Sequence, residues 1–149
     1  MTQIINAYLG LTALRQAGYR STATAVAELV DNSIEASAKN IHILIESHDE
    51  IVNKKKSNQI KKIMVLDDGQ GMSKDILDSC LSLGWGTRLD GREGLGRFGF
   101  GLKGSSLSQS RRVEVYSWQK SADDVRSVYM DLDEIKETQI QEFPESKIA

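Results

Sequence analysis

One cysteine, one proline and two histidines are all that the 149 residues contain of these types. Cys80 alone cannot close an intramolecular disulfide, so a reducing compartment is expected. Its neighbours Ile76, Leu77, Leu81 and Leu83 mark it as a buried structural thiol. His42 and His48 have no Cys or His partners at metal-ligand spacing, which argues against a zinc-type centre. No apolar run approaches the length of a membrane span, and the N-terminus lacks the basic region and apolar core of a signal peptide. The expectation is a soluble cytoplasmic chain without membrane contact, the nucleus being open to a eukaryotic one. Neither sign of charge dominates: 19 basic and 21 acidic residues give a formal charge of −2. Generic attraction to nucleic acid or anionic lipid is therefore not expected. The one basic cluster, Lys54-Lys55-Lys56 with Lys61-Lys62, reads as a solvated loop and strand edge. Repeats and proline-rich linkers are also lacking, and the length suits one domain over residues 1–149.

Glycine is plentiful but confined. Ten of the 12 glycines fall between Gly69 and Gly104. Glycine costs conformational entropy, so this concentration points to backbone that must turn tightly or approach a ligand.

Apolar spacing predicts a helix over residues 4–17 and a second from Ala25 to about Ala38, capped by Ser21, Thr22 or Thr24. The apolar stripe of the second is Val26, Leu29, Val30 and Ile34. Short β-type runs follow at Ile41–Ile45 and Ile60–Leu66, with the polar stretch His48–Gln59 expected as an exposed connection. Ser73 should cap a helix to about Leu83. Residues 84–100 lack periodicity and read as a long loop of the kind used for lids. A helix over Gly101–Gln109 and paired strands at Val113–Trp118 and Val125–Leu132 complete the pattern, with a polar tail from Asp133. A two-layer α/β sandwich is expected, a mixed sheet with helices on one face.

Three motifs carry chemistry. Glu28, Asn32 and Glu35 share one helical face, because three- and four-residue steps bring side chains together. A carboxylate there can act as general base towards water, and an amide oxygen is a hard ligand for Mg²⁺. Taken alone, the same face reads equally well as a solvated one. Asp67-Asp68-Gly69-Gln70-Gly71-Met72 follows an apolar strand directly. A rigidly held carboxylate can accept from an exocyclic amine, glycines admit a flat ring, and Met72 supplies a polarizable wall; a plain Asp-Gly turn reads the same way. Gly96-Arg97-Phe98-Gly99-Phe100-Gly101 runs into a helix at Leu102, so free N–H groups at its start can bind an anion, with Lys103 adding charge. No GxxxxGK[ST] is present, and the glycines do not link a first strand to its helix, so the Walker and Rossmann patterns are both absent.

Together, Glu28-Leu29-Val30-Asp31-Asn32-Ser33-Ile34-Glu35-Ala36, Asp67-Asp68-Gly69-Gln70-Gly71-Met72 and Gly96-Arg97-Phe98-Gly99-Phe100-Gly101-Leu102-Lys103 resemble the three ATP-binding motifs of the GHKL superfamily, which shares the Bergerat fold. The resemblance spans roughly residues 20–118, and the Gly101-Leu102-Lys103-Gly104-Ser105-Ser106 run is most similar to MORC-type ATPases. It implies Glu28 as the base activating water, Asn32 as the Mg²⁺ ligand and Asp67 as acceptor for the adenine amine. Gly71 and Met72 would line the base pocket. Gly96, Gly99, Gly101 and Leu102 would lie at the phosphates, with Lys103 as phosphate lysine and Glu35 near adenine or ribose. Asp31 and Asp68 are expected to be accessory or solvent-facing.

The implied activity is Mg-dependent ATP binding and slow hydrolysis, with a lid over 84–100 closing or the chain forming an ATP-dependent homodimer. Two departures stand out. No Gly-Thr strand follows residue 118 to support Asp67, and relatives supply a catalytic Lys or Arg from a further domain. A downstream domain is therefore expected, and through it nucleic-acid or client-protein contacts. The alternatives are a nucleotide sensor without turnover and a kinase of the histidine-kinase type; absence of a phosphoacceptor-histidine helix weighs against the latter.

Overall fold

The computed structural model describes residues 6–19, 21–82, 101–139 and 145–149. The helix expected over 4–17 is α1, Ala7–Gln16, with the Asn6 side chain accepting from Leu9 N–H. Helix α2, Thr22–Glu35, is capped by Ser21, whose Oγ accepts from Thr24 N–H. Of its expected apolar stripe, Ile34 is exposed while Val26, Leu29 and Val30 are half-buried.

Strands β1, Ile41–Val52, and β2, Lys55–Asp67, form one long antiparallel hairpin. This corrects the exposed connection expected at His48–Gln59. Asn53 and Lys54 both adopt positive φ, 50° and 63°, the conformation of a two-residue turn whose twist matches the strands. Opposite charges across the pair then hold polar residues in register: Lys56 meets Asp49 at 2.8 Å and Lys61 meets Glu46 at 3.2 Å. The register shifts once, between Glu46 and Ser47.

Helix α3, Lys74–Ser79, is shorter than expected, and Ser73 makes no side-chain cap bond. Helix α4 is Gly101–Gln109, followed by β3, Arg112–Ser117, a 3-10 turn at Ala122–Asp124, and β4, Arg126–Asp131. The tail is more regular than its polarity suggested. Asp131 accepts from Asp133 and Glu134 N–H and starts α5, Leu132–Thr138. The two-residue β5, Lys147–Ile148, pairs with β4. The class is α/β as expected. The described ladders, β1-β2 and β3-β4-β5, are both antiparallel, where one mixed sheet was expected. Short connections dictate this for the β1-β2 and β3-β4 pairs, since a parallel pair needs a crossover of a dozen or more residues.

The core lies between α1, α3, α4, α5 and the β3-β4 pair: Leu11, Leu77, Leu81, Leu107, Val113, Val128, Met130, Leu132 and Ile135. At roughly 1.5–3 kcal/mol per fully buried aliphatic side chain, burial here dominates stability. The hairpin supplies none of these residues, and Ile43, Ile45, Ile51 and Ile60 are exposed along it. What it positions is its end, Asp67. Among the described residues, no helix is long and apolar enough to cross a membrane.

The C-terminal segment is latched to α3. Asp78 accepts from Lys74, which also meets Glu145 at 3.2 Å, and from Ser146 N–H at 2.7 Å. These donors, Lys74 first, hold the Asp78 carboxyl down at about 2 from 3.8. A depressed carboxyl stabilises the fold above its unfolded value and loses that contribution as pH falls through its folded value. Asp78→Asn is therefore expected to lower the urea midpoint at neutral pH, with the deficit shrinking between about 4 and about 2. Midpoints of both chains across this range check it.

Candidate functional site

Helix α2 runs against α4 with opposite polarity. Thr22 Oγ1 at its start bonds Gln109 Oε1 at the end of α4, 2.7 Å apart. Arg15 of α1 supports the same end, donating to Leu107 O at 3.0 Å and Ser110 O at 2.7 Å, where a cation suits the helix dipole. Further along, half-buried Glu28 reaches the opposite end of α4: its Oε2 lies 3.3 Å from where a Cβ on Gly101 would sit. The first and third motifs thus meet at a helix N-terminus. Tyr19 borders this place, its Cε2 being 3.6 Å from a Cβ built on Gly104. Burial and the Glu28 carboxylate raise the Tyr19 pKa. Leu102 packs on the core beside this start.

The other end of α2 meets the second motif. Ser33, buried and one residue past exposed Asn32, donates from Oγ to Asp67 Oδ2 at 2.9 Å. Gly69 N–H donates to Asp67 Oδ1 at 2.8 Å. Each carboxylate oxygen retains acceptor capacity, since an ionised carboxylate offers about four lone-pair sites. Gln70 N–H continues the seam to Ala36 O at 3.0 Å, and a Cβ on Gly69 would press on Ala36 at 2.9 Å.

Gly71 has φ +66°, and a Cβ there would lie 1.9 Å from Trp118 O. Only glycine fits this approach. The adjacent Met72 donates its N–H to Ser117 Oγ at 2.7 Å and packs against the core. The end of β3 therefore supports the Gly71–Met72 turn through Ser117 and Trp118.

Asp68 is not merely solvent-facing. Its Oδ1 accepts from Lys39 N–H at 2.7 Å and Asn40 N–H at 2.8 Å, while Oδ2 accepts from Asn40 Nδ2 at 2.8 Å. These bonds, those of Asn40 first, lower its pKa to about 2. Lys103, on the third position of α4, is 1% exposed, and loss of hydration lowers its pKa. Cys80 packs against the core, and burial pushes its thiol up to about 12. That is an inert thiol, as its apolar neighbours suggested.

The structure therefore brings together Glu28 with Gly101, Asp67 with α2, and the Gly71–Met72 turn with the end of β3. Asn32 and Glu35 sit exposed on the same helix. Gly96, Gly99, Phe98, Phe100 and the lid expected over 84–100 lie outside the described residues. Tyr19, Ser33, Ser117 and the Asp68 clamp were missed; Ser33 alone was visible as a hydroxyl inside a motif.

A family profile described as histidine kinase-, DNA gyrase B-, and HSP90-like ATPase matches residues 19–149. The chain belongs to this family. The match begins just before α2 and takes in all three motifs. No curated protein shows a match to the chain.

Proposed function

We propose that the chain binds Mg-ATP and hydrolyses it slowly. The observation that carries this reading is α2, which joins both other motifs: Glu28 abuts Gly101, and Ser33 bonds Asp67. In this reading Asp67 accepts from the adenine amine, with Gly71 and Met72 against the base. Gly96, Gly99, Gly101 and Leu102 present backbone to the phosphates, and Lys103 supplies charge once its amine is turned towards them. Asn32 fits Mg²⁺, because its exposed amide sits one turn from Glu28 and Mg²⁺ takes few protein ligands beside phosphate oxygens and water. The ion would offset phosphate charge. Glu28 orients and deprotonates the attacking water. The Gly101-Leu102-Lys103-Gly104-Ser105-Ser106 run supports a MORC-type member. Lid closure over 84–100, an ATP-dependent homodimer and a further domain belong to the same reading.

Asp67→Asn tests it at the base. The amide still accepts one bond but turns its NH₂ towards Ser33 or the adenine amine, and ATP affinity should fall by about a hundredfold. Isothermal titration with ATP measures this, and affinity within a factor of about two of wild type would remove the assignment.

A further inference from the structure

We propose that Asp68 is a positioning residue for base recognition, locking the link between α2 and β1 onto the end of β2 so that Asp67 is held in place against α2. This inference rests on the proposed function above.

Four consecutive residues of the turn are stitched to one stretch of chain. Asp67 takes the Ser33 hydroxyl, and Asp68 takes both backbone N–H groups of the link at Lys39 and Asn40. Gly69 packs on Ala36, and Gln70 N–H bonds Ala36 O. The Asp68 N–H returns to Asn40 O at 3.3 Å, so the Asp68-Asn40 contact is reciprocal through backbone and side chain. Ser33 restrains the Asp67 carboxylate alone. Asp68 restrains the peptide that carries it.

The groups Asp68 binds are exposed. Water can replace a lost acceptor there at little energetic cost, because exposed donors are not left unsatisfied. Water cannot restore the fixed distance between the link and the end of β2. Loss of the carboxylate should thus appear as blurred recognition of the base more than as lost stability.

The reading is checked with ATP and inosine triphosphate, which has a carbonyl oxygen where ATP has the amine. The wild-type chain should favour ATP by about a hundredfold, because a carboxylate accepts from the amine and repels the carbonyl. In Asp68→Ala this ratio should fall about tenfold, with ATP affinity falling and inosine triphosphate affinity nearly unchanged. Asp68→Asn keeps an acceptor for the backbone N–H groups but sets a donor against the Asn40 amide, and serves where the alanine variant does not fold. Its ratio should fall about threefold. An unchanged ratio in the folded variant, or an equal loss of affinity for both nucleotides, overturns the positioning role while leaving Asp67 recognition intact. A wild-type chain that does not distinguish the two nucleotides overturns the proposed function and this inference with it.

Discussion

Glu28→Ala is expected to lower the rate of phosphate release from ATP by about 10³-fold while leaving ATP affinity within about threefold of wild type. A positioned base contributes roughly 10²–10⁴ to such a step. The proposed binding contacts, at Asp67, the turn at Gly71 and the start of α4, do not include this carboxylate. The side chain is half-buried, and its neighbour across the helix pair is a glycine backbone. Its removal leaves a small space beside Gly101 and no bulky group in the phosphate path. Glu28→Gln, which keeps the shape but cannot take a proton, should match alanine in rate. A colorimetric phosphate assay with isothermal titration separates the two effects. Equal loss of binding and turnover would assign Glu28 to nucleotide binding instead.

Gly71→Ala is expected to destabilise the chain by about 3 kcal/mol and to weaken ATP binding at least tenfold. Two costs combine at this position. A side chain at φ +66° is strained, and a Cβ 1.9 Å from Trp118 O forces backbone to move, since no flexible side chain can yield. The displacement passes directly to Met72, whose N–H is held by Ser117. Gly101→Ala provides the contrast, because among the described residues its Cβ would meet only Glu28 Oε2 at 3.3 Å. Urea midpoints of the two variants should therefore differ clearly, with Gly71→Ala much the lower.

Local patterns made the helices and the site's outline legible. Ser21 is a hydroxyl before an apolar period, and Glu28 with Asn32 is a four-residue step, so α2 and its candidate functional face follow from neighbouring residues. The β3-β4 pair follows from alternation around Val113, Val115, Val128 and Met130. The outer hairpin was hidden because Asn53-Lys54 makes its turn without glycine, and polar residues from His48 to Gln59 show no apolar face. Helix α5 was hidden because charged Asp133, Glu134, Lys136 and Glu137 mask a two-residue apolar anchor, Leu132 and Ile135. Contacts such as Ser33 with Asp67 and Asp68 with Asn40 join residues 34 and 28 positions apart. No local periodicity encodes such a pairing.

Helix α2 also works as a ruler. Glu28 and Ser33 are five residues apart on it, about 7.5 Å along its axis. One contact faces the start of α4 and the other faces the end of β2. A slide of α2 by a single residue, about 1.5 Å, would misplace both together. In the proposed function, grip on the base and readiness of the water would thus be read off one rigid rod, and a perturbation at either end would be felt at the other.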